Sequence, residues 1–391
     1  MKIKINKEFW ISIAFFLITI SGGTFFSNVL SSGLFLYMGL FILSCITIKR
    51  ICLEKRNYSK TIFFILSVVL SCFGLIHQNL QFARIMSLVI SMIFIFMFAV
   101  LDNGIIMSIS GIHKIRNGIL FGIMTNIITA IIGGYSLFSK VYEMGINIGF
   151  NGGMYQKNYY AYTVLTAIFL TIIELKKYNT RKNKCIFWGI MFLLILSVSR
   201  GAYILAFIYI AIMNVDVIGR ILRKYKIVVI PCAVLFALFI IQYLYINVFQ
   251  NSTNFMYRVI GLQNYFDYCK KENGRIWYGI AEIAFKDENY TTNIRALTGW
   301  NGTTESAILG ILVKNGLFGI IVYLLVIINY IFKINRNKGK YNKITFWAIF
   351  ISAITSILME GFLIDVKYVF CPVVFILLNS LSSGTFIVDK K

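Results

Sequence analysis

The chain is dominated by long apolar runs, each close to the roughly 20 residues that an α-helix needs to cross a bilayer. About twelve such runs follow one another. With 59% hydrophobic and only 14% charged residues, the chain lacks the polar surface that a water-soluble domain, a disordered chain or a solenoid requires. The sequence therefore predicts an all-α, polytopic membrane helix bundle with spans at residues 9–26, 30–48, 61–77, 84–101, 117–137, 158–175, 185–199, 202–219, 227–248, 316–333, 343–363 and 368–386.

The basic residues predict how the bundle is oriented, since cytoplasmic loops retain Lys and Arg. Most of the 38 Lys and Arg residues fall at alternate ends of the spans, which places both termini in the cytosol. The first run lacks an evident cleavage site, so we interpret it as a retained anchor. The net charge of +23 is spread over several short segments. That spread disfavours a nucleic-acid surface and fits contact with anionic lipid headgroups.

Cysteine and histidine usage argues against a disulfide framework and against a metal site. Of the seven cysteines, only Cys269 lies clearly outside the predicted spans and their margins. The two histidines are His77 and His113, and no Cys-x-x-Cys pair occurs. The sequence therefore predicts neither a bound metal nor a cofactor.

The longest polar break, residues 249–315, is predicted to be external. A loop of this length is uncommon and usually functional. Apolar residues at helical spacing predict short amphipathic helices on the outer leaflet at 274–286 and at 304–314. We therefore divide the chain into spans one to nine at 1–248, this large extracytoplasmic loop, and spans ten to twelve at 316–391.

Two shorter external segments carry features that a plain connector does not need. Gly149, Gly152 and Gly153 permit close approach of the backbone to a ligand, although a flexible connector is the commoner reason for such glycines. The tight turn at 197–203 places Arg200 at the mouth of two helices. An arginine there either anchors the helix by snorkelling to the interface or serves a function.

A series of short motifs occurs in order along residues 150–330. The motifs resemble the O-antigen polymerase and ligase superfamily, which includes polymerases of capsular and other repeat-unit polysaccharides. They are Lys157-Asn158 before a helix, Ser199-Arg200-Gly201-Ala202, Gly274-Arg275-Ile276-Trp277, Gly299-Trp300, Thr304-Glu305-Ser306, and Leu312 followed by Asn315-Gly316-Leu317-Phe318-Gly319.

The resemblance implies a membrane glycosyltransferase of the bacterial cytoplasmic membrane. Such an enzyme transfers a sugar chain from undecaprenyl pyrophosphate to a lipid-linked oligosaccharide repeat unit on the outer face, without a metal or a nucleotide sugar. The ligase branch usually has a histidine where this chain has Glu305, which favours a polymerase. The implied partners are the lipid-linked oligosaccharide, membrane lipids and a chain-length regulator, with no nucleic acid.

In the reaction that the resemblance implies, positive charge is needed to stabilise the departing pyrophosphate. A guanidinium supplies a fixed fork of hydrogen-bond donors that stays charged. Arg275 and Arg200 are the catalytic candidates. Glu305 is the candidate base that accepts the proton of the attacking hydroxyl. The candidate substrate-binding residues are Arg295, Arg258, Lys157, Asn158 and Trp277.

Simpler roles stay open for several of these charges. Arg275 pairing with a neighbouring loop carboxylate is one alternative. Glu305 acting only as a helix cap is another. Glu360 and Asp365 near the outer end of span eleven either bind sugar hydroxyls or balance Lys367, and we prefer the second interpretation.

A lipid-linked oligosaccharide flippase is the main alternative from another functional class, and a ligase-type transferase is the alternative within the same class. A flippase requires internal repeats and charges lining a central cavity, and neither is evident in the sequence. Its loops should also be uniformly short. The length of the loop at 249–315 therefore favours chemistry on the outer face.

Overall fold

A computed structural model of the chain describes the greater part of the bundle. Within the described residues, regular structure is helical apart from two two-residue strands, and the predicted all-α polytopic membrane fold is confirmed. The described residues are 7–29, 32–53, 58–77, 82–106, 108–139, 149–224, 242, 263, 266–267, 269–270, 275–279, 307–337 and 339–384.

The described residues form a series of helices. In chain order they are α1 (Lys7–Ile20), α2 (Thr24–Val29), α3 (Ser32–Leu53), α4 (Tyr58–Ser71), α5 (Phe82–Val100), α6 (Ile109–Ile132), α7 (Lys157–Lys177), α8 (Arg181–Leu196), α9 (Arg200–Met213), α10 (Val215–Lys224), α11 (Arg275–Tyr278), α12 (Ala307–Arg336), α13 (Lys340–Met359) and α14 (Phe370–Ser383). Two 3₁₀-helices lie at Phe73–His77 and Gly361–Leu363, and the strands are β1 (Phe138–Ser139) and β2 (Gly149–Phe150).

Several of these helices are long and apolar enough to cross a membrane. Among the described residues six reach that length, and the shorter apolar helices are Leu88–Val100, Arg200–Met213 and Phe370–Ser383. The predicted span at 227–248 lies outside the described residues except for Gln242. The total of about twelve spans therefore stays a prediction. The six are Gly33–Cys52, Tyr58–Leu75, Ile109–Ile132, Lys157–Lys177, Gly310–Arg336 and Lys340–Met359.

α7 lies at the centre of the bundle. Of the residues in its membrane-length segment, 89% are buried. The helix contacts α6, α8, α9 and α14. A helix that is apolar on all sides is expected to be buried all round. The hydroxyls of Thr163, Thr166 and Thr171 donate to carbonyls four residues earlier, at 2.7 to 2.9 Å, so α7 satisfies these polar groups within itself.

The prediction of one continuous first span at 9–26 is wrong. α1 ends at Ile20 and α2 begins at Thr24, because the backbone at Gly23 forms an antiparallel bridge with Met154. A Cβ at Gly23 would lie 2.2 Å from Oδ1 of Asn126, so the break depends on a glycine. The antiparallel hairpin of β1 and β2, which we call the outer hairpin, is thereby attached to the first two helices.

The predicted span at 202–219 is also interrupted. α9 ends at Met213, and the Asn214 side chain donates back to the carbonyl of Ile210 at 2.8 Å. The backbone N–H of Asn214 bonds the carbonyls of the same turn, and α10 then starts at Val215. Asparagine commonly ends helices in this way, because its amide competes for backbone partners.

α12 is kinked at Gly316, whose φ of 64° and ψ of −162° are not helical. The predicted span at 316–333 therefore begins at the kink. The part of α12 before the kink starts at Ala307 and includes most of the helix predicted at 304–314. The prediction of one amphipathic helix at 274–286 is wrong, because α11 ends at Tyr278 before Gly279 with φ 74°.

Ion pairs occur at both ends of the bundle. Residues predicted to be cytosolic pair with each other, as in the ion pair of Lys60 with Asp102. Residues predicted to be external do the same, as in the ion pair of Lys367 with Asp365. Which end faces the cytosol stays a prediction from the positive-inside rule.

The orientation inferred from the basic residues places Arg116 in a cytosolic loop before the span predicted at 117–137, and this placement is wrong. α6 starts at Ile109, eight residues before the predicted span at 117–137, with Ser108 as its N-cap. Arg116 is 0% exposed, and its Nη1 lies 2.8 Å from Oε2 of Glu174 on α7. A charged pair buried between two helices takes the place of a solvated charge.

Candidate active site

A strained turn between α8 and α9 presents Arg200 at the predicted outer end. Val198 has φ 51°, which is uncommon for a β-branched residue. The buried Ser197 hydroxyl donates to the carbonyl of Leu194 at 2.6 Å and holds the start of the turn. Arg200 is the first residue of α9, and it is exposed, as the sequence predicted for a tight hairpin.

Asn158 connects this turn to two other helices. The Ser199 hydroxyl, in the N-cap position of α9, makes no capping bond and instead donates to Oδ1 of Asn158 at 3.1 Å. Nδ2 of Asn158 donates to Oε1 of Glu360 at 2.9 Å. The start of α7, the start of α9 and the C-terminal end of α13 are thus joined through one amide group.

Lys157 lies beside the same turn and is only 8% exposed. A Cβ at Gly149 would lie 2.3 Å from the carbonyl oxygen of Ser197 and 2.8 Å from Cδ of Lys157, so strand β2 closes directly over the lysine. The positive charge of Arg200 acts on the Lys157 ammonium. Lys157 and Arg200 therefore lie at the same corner of the bundle.

The glycines of the outer hairpin approach protein and not a ligand. Gly152 and Gly153 have φ 56° and 75°. A Cβ at Gly152 would lie 2.4 Å from the ring of Tyr160, and one at Gly153 would lie 2.5 Å from the carbonyl oxygen of Asn126. The hairpin is therefore a packed cover on α6 and α7, and the expectation that these glycines give room for a ligand is not supported.

For the polymerase reaction that the resemblance implies, we expect Asn158→Leu to lower polymer output about tenfold, because two hydrogen bonds that position the Arg200 turn are lost at nearly constant volume. The measurement is the size distribution of surface glycan made by cells that carry the variant, normalised to the amount of protein in the membrane. Asn335→Leu, at an exposed position of α12 near the opposite end, is the matched control. Unchanged polymer from the Asn158 variant would contradict the positioning role.

A second charged group occupies the loop between α13 and α14. Oδ2 of Asp365 lies 3.1 Å from Nζ of Lys367, and Oδ1 of Asp365 accepts from the backbone N–H of Lys367. The hydroxyl of Tyr159 donates to the carbonyl of Lys367 at 2.8 Å and fixes the loop on α7. The preferred interpretation, that Asp365 balances Lys367, is confirmed. Glu360 contacts Asn158 instead.

These loop charges stay ionised near neutral pH. Burial of the Asp365 carboxyl opposes ionisation, but the positive charges of Lys367 and Lys314 outweigh burial and lower its pKa. The Asp365 carboxylate in turn raises the pKa of Lys367, against the effect of burial. A lowered acid pKa and a raised base pKa keep the pair charged from about pH 5 to pH 9, so neither group titrates in that range.

Trp277 lies on α11, which packs beside the kink of α12. Its ring is about half exposed and lies 5.8 Å from the ring of Phe318. A Cβ at Gly316 would lie 2.4 Å from the carbonyl oxygen of Trp277, so the two backbones touch where Gly279 and Gly316 have positive φ. Phe73 contacts both α11 and α12 through ring pairs. α11 is therefore fixed to the bundle and not freely suspended in the loop.

The structure brings together Lys157, Asn158 and Arg200 of the predicted site. It places Trp277 beside the α12 kink and shows the backbone of Arg275 on the same short helix, although the Arg275 side chain is outside the described atoms. Arg258, Arg295 and Glu305 lie outside the described residues. Their roles stay predictions.

The sequence reasoning missed Lys314 and the contact of Glu360 with Asn158. Lys314 precedes the α12 kink by two residues, and its charge acts on Asp365. A lysine just before an Asn-Gly pair within an apolar run was the available signal for Lys314. For the pairing of Glu360 with Asn158 the sequence carries no signal, because the two residues are 202 positions apart.

A family comparison covers part of this site, and Lys157, Asn158, Glu360 and the Asp365–Lys367 pair lie outside the match. Residues 185–324 match the model of a family described as O-antigen ligase. The matched range begins in α8 and ends in α12, so it includes the Arg200 turn, α11 and the kink at Gly316. The resemblance to the O-antigen polymerase and ligase superfamily is thereby confirmed. Comparison with curated proteins gives no match.

Proposed function

We propose that the chain is a membrane polysaccharide polymerase acting on the outer face of the bacterial cytoplasmic membrane. It transfers a growing glycan from undecaprenyl pyrophosphate to a lipid-linked oligosaccharide repeat unit. The observation that carries the proposal is the buried Lys157 beside Arg200, held at one end of the bundle by the Asn158 bridge. The match to an O-antigen ligase family supports a membrane glycosyltransferase of this general type.

The two cations suit the departing diphosphate. When the bond between the anomeric carbon and the pyrophosphate oxygen breaks, negative charge grows on that oxygen, and preorganised donors stabilise it. Arg200 supplies a guanidinium fork for phosphate oxygens, whereas Lys157 supplies a compact point charge. Arg275 on α11 is proposed to contribute from the outer loop, together with Arg258 and Arg295. In this proposal the protein's own cations replace a metal.

The acceptor hydroxyl forms the new glycosidic bond and must lose its proton. Glu305 is proposed to accept that proton, and undecaprenyl pyrophosphate leaves as the anion. One glycosidic bond forms as the bond to pyrophosphate breaks, and the proton moves to the carboxylate. Trp277 offers a half-exposed ring for a sugar face at the same end of the bundle.

A ligase-type transferase is the second candidate function, because the matching family carries that description. The two reactions differ only in the acceptor, which is another repeat unit for a polymerase and a different glycolipid for a ligase. Glu305 in place of the histidine usual in the ligase branch favours the polymerase.

Deleting the protein is expected to leave single repeat units on the outer surface, because assembly and export continue while chain extension stops. Loss of a ligase would instead leave long polymer on the lipid carrier, and loss of a flippase would trap single units inside. Sizing the glycan and locating it by surface labelling distinguishes the three outcomes.

A chelator added to membranes that carry out the reaction is expected to leave polymer length unchanged, because the proposed mechanism uses no metal ion. Inhibition by chelation would contradict the metal-independent mechanism.

A further inference from the structure

A polar cavity lies at the end of the bundle opposite to the proposed active site. Its volume is about 190 Å³, and it opens between the end of α7, the junction of α9 with α10, and the start of α13. Its polar lining residues include Lys176, Asn214, Asp216, Arg220, Tyr341 and Thr345. The positive-inside rule places this end in the cytosolic leaflet. The proposed reaction on the outer face does not use it.

The charges at the cavity favour an anion. Nζ of Lys176 donates to Oδ1 of Asn214 at 2.9 Å, so the ammonium lies at the cavity wall. The lining carboxylate, Asp216, pairs with Lys340 at 3.3 Å. Nε of Arg220 donates to the backbone carbonyl of Asp216, a bond that uses one of five guanidinium donors. Among the described residues, the lining and its neighbour Lys340 thus carry three positive charges against one negative charge.

The same cavity has an apolar side that lies along the membrane. α10 exposes Val215, Val217 and Ile218 next to its basic residue Arg220. A short helix with exposed apolar residues on one part of its surface and basic residues on another lies in the interface between lipid and water. Ile173 and Ile344 continue the apolar surface into the cavity. The ligand that fits has a negative head and an apolar body.

We propose that this cavity binds the phosphate-containing headgroup of an anionic phospholipid from the cytosolic leaflet. Lys176 and Arg220 contact the phosphate, Thr345 and Tyr341 offer hydroxyls to the headgroup, and the acyl chains lie along α10. A soluble phosphate compound also carries a phosphate group, but it would leave the apolar surface of α10 and the apolar lining residues Ile173 and Ile344 without a partner.

The test uses the full chain purified in a neutral detergent and titrated with phosphatidylglycerol or phosphatidylcholine, with bound lipid counted by native mass spectrometry. Phosphatidylglycerol should bind more tightly. The double variant Lys176→Gln with Arg220→Gln should weaken that binding about 25-fold, since each basic side chain near an anionic surface contributes roughly fivefold. Arg220→Gln alone, at an exposed position, should weaken it about fivefold and serves if the double variant does not fold.

Two controls make the outcome decisive. The charge-conserving pair Lys176→Arg with Arg220→Lys should keep the affinity, and so should Lys182→Gln with Arg336→Gln, exposed basic residues outside the cavity. Equal binding of the two lipids, or unchanged binding in the glutamine variants, overturns the proposal. Sodium phosphate that binds alone and displaces phosphatidylglycerol at the same concentration also overturns it, in favour of a soluble ligand.

Discussion

Replacing Arg200 by alanine is expected to reduce polymer formation by roughly 10- to 150-fold while the amount of protein in the membrane stays unchanged. The magnitude follows from one charge-assisted hydrogen bond of about 1.5 to 3 kcal/mol that strengthens as the pyrophosphate departs. The fold should survive, because the Arg200 side chain is exposed and α9 is held by Ser199 and by its buried apolar residues. The measurement is the rate of polymer growth in membranes supplied with lipid-linked repeat units.

Conservative and distant substitutions give this prediction its controls. Arg200→Lys should restore part of the activity, because a point charge still attracts phosphate but lacks the bidentate fork. Arg181→Ala removes an exposed arginine at the start of α8, at the opposite end, and should leave the rate unchanged. A full rate in Arg200→Ala would show that the arginine only anchors α9 at the interface.

The outer-loop residues of the proposal are tested beside Arg200. Arg275→Ala should abolish polymer, because Arg275 is proposed to stabilise the departing pyrophosphate from α11, which packs against the α12 kink through Trp277 and Gly279. Glu305→Gln keeps the size of the side chain but removes the base. Polymer retained in the glutamine variant would leave Glu305 as a helix cap and would move the search for the base to another carboxylate, with Glu360 the first candidate because Asn158 already positions it.

The Arg200 turn could be predicted from the sequence because its geometry is local. A short polar interruption between two apolar runs forces a hairpin, and the arginine follows at the start of the next helix. The partners of Asn158 could not be predicted in this way. Periodicity and turn signals describe neighbours along the chain, whereas Ser199 and Glu360 meet Asn158 only after three helices pack.

The helix breaks show the same limit in the opposite direction. Apolar composition is continuous through 9–26 and through 202–219, so a hydropathy argument joins them. The actual break at Gly23 depends on pairing with Met154 in a distant hairpin, and the one at Asn214 depends on a side-chain amide that bonds the preceding turn. A hydropathy scale measures the free energy of transferring side chains out of water, and it includes neither of these contacts.

Counting charges also mistook a buried arginine for a loop residue. The positive-inside rule uses the sign of Arg116 and its distance from a span, and both fitted a cytosolic loop. The burial of Arg116 is decided by Glu174, which comes from the next long helix and had no visible role in the sequence. The side chain of Arg116 is also close to His113 and Asn183, at 3.0 and 3.5 Å.

That buried pair gives the largest expected effect on stability. Glu174→Gln is expected to lower the free energy of unfolding by about 3 to 5 kcal/mol, because it leaves the Arg116 guanidinium buried between α6, α7 and α8 without its counter-charge. Arg116→Met should destabilise the protein by removing the cation and leaving a carboxylate that is 3% exposed. The measurement is unfolding of the purified protein by a denaturing detergent, followed through its tryptophan fluorescence.

The double variant Arg116→Met with Glu174→Gln separates the cost of an unpaired charge from the worth of the pair. Removing both charges should recover most of the lost stability, because a buried ion pair gains little over an apolar or neutral pair of similar size. Asp267→Asn, which breaks an exposed pair with Lys270, is the matched control and should change stability little. Losses that simply add in the double variant would mean that the two charges do not interact, and the ion pair between α6 and α7 would then have no energetic role.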